Sequence, residues 1–161
     1  MMRHITLSLF LFVVVSLLGC SQPGANPPQP TEQSVQLLLF SAPWCPKCQP
    51  EIQQIDALVK TELKEKAERL KTTVYVVSGA SLAQKPTTQV VADYRTQLNV
   101  DFDVAPDPWR FQKYHAYYPE LKPEVLLPAA VILKESGEKK VFRPGNFSPE
   151  EVLGHLEDAL K

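Results

Sequence analysis

Glycine is scarce in this chain, at 6 of 161 residues, and no segment repeats another. Flexible glycine-rich linkers and repeat architectures are therefore excluded. An excess of either charge is missing too: 17 Lys and Arg stand against 18 Asp and Glu, a formal net charge of −1. With no basic field to gather phosphate backbones, nucleic acid is not an expected partner. Histidine is limited to three residues, and neither His115 nor His155 has ligand spacing to a cysteine, so a four-ligand zinc site is not expected. Cysteine is also limited to three residues: Cys20, Cys45 and Cys48. What the chain does have is 44% hydrophobic residues, enough for one core of ordinary size, and 15 prolines, which favour stiff connections.

The first twenty residues stand apart. Arg3 precedes an apolar run over residues 5–18 that ends at Gly19-Cys20. A run of about fourteen residues is too short for the roughly 20 of a spanning helix and has the layout of a signal peptide, expected over residues 1–19. The segment Leu17-Leu18-Gly19-Cys20 resembles a bacterial lipobox, in which the signal is cut before the cysteine and that cysteine is lipidated. This implies an extracytoplasmic chain held to a bacterial membrane through lipid on Cys20. Residues 21–34, polar and rich in proline, read as a tether, with residues 20–34 lying outside any fold. In a polyproline conformation fourteen residues at about 3.1 Å each reach on the order of 40 Å.

From residue 35 the pattern becomes that of a folded domain. Residues 35–40 form a nearly continuous apolar run, as expected of a strand covered on both faces. Apolar residues at helical spacing from Ile52 to Leu70 predict a helix over 50–70. A strand is expected at 74–77, a helix at 90–98, a short strand at 99–104 and a short aromatic helix running to about Tyr118. A hairpin of strands over 129–133 and 139–143 turns at Glu135-Ser136-Gly137-Glu138. Ser148-Pro149-Glu150-Glu151 supplies an N-cap, a first-turn proline and a capping-box glutamate for a final helix. This order predicts an α/β fold with a central mixed sheet and helices on both faces over residues 35–161.

The chemistry-bearing stretch is Trp44-Cys45-Pro46-Lys47-Cys48, between the first strand and the first helix. A thiolate at a helix N-terminus is stabilised by free N–H groups and the dipole, and Lys47 adds positive charge. Cys45 is thus the expected nucleophile, with Cys48 placed to attack a mixed disulfide formed on it. The same two thiolates are also suited to copper transfer in metalloenzyme assembly, which is one competing reading; a non-catalytic lipoprotein whose cysteines are idle is the other. Of the aromatic cluster Trp109, Phe111, Tyr114, Tyr117 and Tyr118, packing is the expected role, as it is for His115.

Trp44 before the cysteine pair, Leu127-Pro128 before a buried strand and Asp107-Pro108 before a helix together resemble thioredoxin-fold oxidoreductases, and among them the extracytoplasmic TlpA/ResA-like branch. The resemblance implies a thioredoxin-like fold and thiol–disulfide exchange by Cys45 and Cys48. It also implies that Pro128 forms a cis-proline loop facing the cysteines and keeping metals away. Trp44, Leu127 and Pro128 would contact the substrate, and Pro46 and Lys47 would modulate the pair. No cofactor beyond the cysteine pair and no metal are implied. The expected partners are extracytoplasmic protein thiols and disulfides, met by a monomer that acts mainly as a reductant. Two departures stand out. Leu39 occupies the strand position where thioredoxins carry a buried acid, and no room remains before Val35 for the N-terminal hairpin common in that branch. A peroxiredoxin would need threonine where Ala42 stands.

Overall fold

The computed structural model describes residues 34–108 and 111–161. The expected signal peptide, Cys20, the tether up to residue 33, and Trp109 lie outside the described residues.

Five strands form one mixed sheet in the order β3-β2-β1-β4-β5. β1 (Val35–Ser41) is central, parallel to β2 (Leu70–Val76) and antiparallel to β4 (Ala129–Lys134). β3 (Asp103–Pro106) runs parallel to β2 at one edge, and β5 (Lys139–Val141) closes the other against β4. The apolar run of β1 has the purpose its composition suggests. Val35, Leu37 and Leu39 enter one core cluster while Leu38 and Phe40 enter a second on the opposite face. The first cluster lies under α1 (Cys48–Glu62), α2 (Thr88–Leu98) and α4 (Pro149–Ala159), the second under α3 (Gln112–Tyr117). Helices therefore cover both faces.

Local chemistry explains the helix ends. Thr87 and Ser148 accept hydrogen bonds from the N–H groups of Val90 and Glu151, capping α2 and α4. Asn99 closes α2 in the left-handed conformation, φ +48°. α2 thus ends at Leu98 as expected, but the strand expected over 99–104 begins at Asp103 and runs on to Pro106. A proline is tolerated there because β3 is an edge strand.

The long helix expected over 50–70 is a correction. α1 ends at Glu62, and Lys64–Arg69 continues as a 3₁₀ helix with no buried residue. This charged run has nothing to offer the core, and Leu70 pairs with Val35 in the sheet instead. β2 accordingly begins at Leu70, earlier than the strand expected from residue 74.

Candidate active site

β1 carries the chain to the cysteine pair, and α1 carries it away. Cys45 and Cys48 form a disulfide, with Cα atoms 5.4 Å apart. Both are buried, Cys48 completely. The helix begins two residues earlier than residue 50, where it was expected. α1 starts at Cys48, and Cys45 sits in the preceding turn, its N–H donating to Ala42 O and its carbonyl accepting from Cys48 N–H. No side chain caps α1, whose N-cap residue is the exposed Lys47. The positive end of the helix is thus directed at the pair without a competing side-chain acceptor. Pro46, also exposed, completes the turn.

Beneath the disulfide the floor is apolar. Leu39 is buried at the position of the expected acid, in the same cluster as both cysteines, with Ala130 of β4 as its sheet partner. A carboxyl comes from elsewhere: Glu51, one helical turn after Cys48, has a buried Oε2 with no hydrogen-bond partner. Burial pushes its carboxyl above the usual carboxylate value, against the opposing pull of Lys47. Sequence reasoning missed Glu51, although its three-residue spacing from Cys48 was available as a signal.

The walls come from three loops. Trp44 is partly exposed, and its indole N–H donates to the hydroxyl of buried Ser78 at 2.8 Å, which fixes the ring beside the pair. The Leu127–Pro128 bond is cis, as is Lys122–Pro123, which sequence did not suggest. Pro128 is buried, and Leu127 packs against the cluster that contains Cys45 and Cys48. Gly145, at φ +69°, donates its N–H to Pro128 O at 2.7 Å, so the loop before α4 supports the proline loop. A side chain there would be strained in the left-handed conformation.

The proline loop is held from behind by α3. The Tyr114 hydroxyl donates to Leu126 O and accepts from Leu126 N–H, both at 3.0 Å, and His115 Nε2 donates to Glu124 O at 3.0 Å. α3 is itself anchored by Asp107, 1% exposed. Its two carboxylate oxygens accept from the N–H groups of Lys113 and Tyr114 at 2.8 and 2.9 Å, and its own N–H donates to Val76 O. Of the sequence-nominated aromatics, Tyr114 and Tyr118 are core residues stacked at 4.9 Å. His115 is buried packing against Phe111 and Tyr114. Trp44, Pro46 and Lys47 flank the cysteines in the chain, and the cis Leu127–Pro128 bond leads into β4 at Ala129, which pairs with Phe40 near the end of β1.

A cavity of about 640 Å³ lies at the other end of α1, lined by Asp56, Lys60, Thr72 and Phe102 among others. It is remote from the disulfide and takes no part in its chemistry. Among the described residues no group of three or more His, Cys, Asp or Glu is placed to hold a metal. None of their helices is long and apolar enough to cross a membrane.

No protein-family model matches the sequence, and comparison with curated proteins gives no significant match. Solved structures do match the fold. StoA from Bacillus subtilis is 19% identical, with a TM-score of 0.55 over 82% of this chain and 86% of its own. A thioredoxin-related protein from Neisseria meningitidis serogroup B is 14% identical, with a TM-score of 0.59 over 84% and 91%. The pneumococcal exposed lipoprotein thioredoxin from Streptococcus pneumoniae is 18% identical, with a TM-score of 0.55 over 79% and 86%. The fold is thioredoxin-like.

Proposed function

We propose that this thioredoxin-fold chain is an extracytoplasmic thiol–disulfide oxidoreductase that reduces protein disulfides through Cys45 and Cys48. The observation that carries the reading is the Cys45–Cys48 disulfide at an uncapped helix N-terminus. In the dithiol form, Cys45 as thiolate attacks one sulfur of a client disulfide. The client's S–S bond breaks, a Cys45–client bond forms, and the displaced thiolate takes up a proton. Cys48 then attacks Cys45, closing the protein disulfide and releasing the second client thiol, so that two electrons have passed to the client.

The surroundings supply what these steps need. Leu127 N–H and C=O make no hydrogen bond among the described residues, which leaves backbone groups beside the disulfide for an extended client segment. Glu51 is the group placed to take the Cys48 proton, the task that Leu39 cannot perform. The Glu51→Gln variant is expected to resolve mixed disulfides about tenfold to a hundredfold more slowly. It should also lose the acid limb of the rate against pH that titrates with a carboxyl raised above its ordinary value. Rapid-quench alkylation across pH 4–8 measures both, and an unchanged profile would remove Glu51 from the mechanism.

The test of the function itself is catalysis of insulin-disulfide reduction by dithiothreitol. Absence of any acceleration, or tight stoichiometric copper retained by the reduced protein after dialysis, would overturn the reading. Location is a second part of the proposal: lipid on Cys20 holds the domain at a bacterial membrane surface, where a monomer meets oxidised client proteins. Two of the structural neighbours are described as secreted and as an exposed lipoprotein, which supports that placement. Replacing Cys20 by alanine is expected to release the protein from the membrane fraction and remove a lipid-sized mass. Unchanged fractionation and mass would refute the anchor.

A further inference from the structure

A cavity of about 430 Å³ adjoins the proline loop on the side away from the cysteines. Leu126 forms part of one wall, one residue before Leu127, and Arg143 and Pro144 part of another, next to Gly145, which is bonded to Pro128 O. The proline loop and the loop before α4, joined by that hydrogen bond, therefore both border this cavity. Leu126 is 46% exposed, one of few large apolar side chains left in solvent among the described residues, and its backbone is fixed in both directions by Tyr114. Leu121 and Val141 add apolar surface. Tyr118 lines the cavity too, yet its hydroxyl is already committed to Ala130 O and Phe142 O, so it offers a ring and no hydrogen bond. The charged lining residues Glu120 and Arg143 are opposite in sign and favour neither an acid nor a base.

We infer that this cavity is a specificity subsite that takes one bulky apolar side chain of the client polypeptide, next to the client's reactive cysteine. The inference rests on the thiol–disulfide reading and adds a substrate class to it. Side chains alternate along an extended chain. Leu127 packs against both core clusters, the cysteines belong to the first, and Tyr118, Leu121 and Val141 of the cavity belong to the second, so a client segment laid along this loop presents its cysteine on one side and its immediate neighbours on the other. The preferred client carries Leu, Ile or Phe directly beside its cysteine; the same residue two positions away faces the wrong side. A cavity of this size accommodates such a side chain.

The probes are octapeptides of Gly, Ser and Ala with a single cysteine held as its glutathione mixed disulfide. Leucine is placed immediately beside the cysteine, two positions from it, or nowhere. Reduced full-length protein converts each into peptide thiol and glutathione while its own Cys45–Cys48 disulfide forms, so two electrons are accounted for. Adjacent leucine, on one side of the cysteine or the other, is expected to raise kcat/KM about tenfold through KM, the lower end of what burying a leucine is worth. Leucine two positions away should add nothing. The gain should vanish in Val141→Trp, which fills the cavity, and in Leu121→Trp, two variants made so that one misfolded protein does not decide the matter.

Equal reduction of all the peptides, or a gain that survives in both folded variants, would overturn the subsite while leaving thiol–disulfide exchange intact. Reduction of none would overturn both. A dimer in sedimentation velocity that Leu126→Asp returns to monomer would assign the cavity to a second copy of the chain and overturn the client reading.

Discussion

Replacing Cys45 with serine is expected to abolish insulin-disulfide reduction, a loss on the order of a thousandfold or more, because the hydroxyl that remains neither ionises near neutral pH nor forms a disulfide. Replacing Cys48 with alanine should have a different signature. The first step survives, since Cys45 keeps its place at the end of α1, but the mixed disulfide has no internal thiolate to resolve it. A Cys48→Ala protein isolated from its native cells should therefore carry client proteins released by reductant, and a Cys45→Ser, Cys48→Ala double variant should carry none. Equal capture by the single and double variants would show that adducts form without Cys45 and would refute its role as nucleophile. The thiol state of the wild-type pair, trapped by acid quench in growing cells, reports direction. A dithiol majority is expected, and a chain held almost wholly as disulfide with its electron supply intact would reverse the assignment to an oxidase.

The largest effect outside the cysteine pair is expected at Asp107. Truncation to alanine leaves the buried N–H of Tyr114 and the part-buried N–H of Lys113 without the carboxylate that now accepts from both. One buried and one part-buried donor left unsatisfied cost about 2 kcal/mol together, or a Tm lower by about 8 °C for a domain of this size. Asp107→Asn keeps one acceptor and should lose about half as much. The pH dependence has a definite sign. Burial raises the Asp107 carboxyl above its unfolded value, so the folded state holds its proton longer and wild-type stability falls as pH rises from the unfolded value through the folded one. The deficit of Asp107→Asn relative to wild type should therefore be widest on the acid side and narrow as pH rises through that window. Urea unfolding at a series of pH values tests this, and a deficit that widens with pH would contradict the burial argument. Activity should fall alongside stability, because α3 carries the Tyr114 hydroxyl that fixes Leu126.

Whatever depended on local periodicity or fixed spacing was legible in the sequence. β1 announced itself as an unbroken apolar run because a central strand has no solvent face, and Ser148 and Glu151 marked the start of α4 because capping needs those residue types at that spacing. The cysteine pair and Pro128 were nominated from short-range pattern; the pair is joined as a disulfide and the Leu127–Pro128 bond is cis. The end of α1 was misread because Ala67 and Leu70 continue the helical period, whereas pairing with Val35 decides the conformation of Leu70, and that partner is distant in sequence. Tyr114 as the holder of Leu126, and Gly145 as the donor to Pro128, left no local mark for the same reason. Asp107 was noticed only as half of an Asp-Pro pair. Its service to N–H groups six and seven residues later becomes apparent only when Phe111, in the left-handed conformation at φ +59°, turns the chain back toward it.

The central place of β1 also sets an order of events in time. It is the first strand of the described residues to be made, yet its antiparallel neighbour β4 follows roughly ninety to a hundred residues later, and β1 must wait for it before being paired on both sides. The cysteines are only three residues apart and need no such wait. Proximity alone does not close the pair, because a disulfide forms only when an external oxidant takes two electrons, a step of about seconds to hours that is slow beside the assembly of a small sheet. A newly made molecule would then reach its folded state as the dithiol, ready for a first turnover without a prior round of reduction.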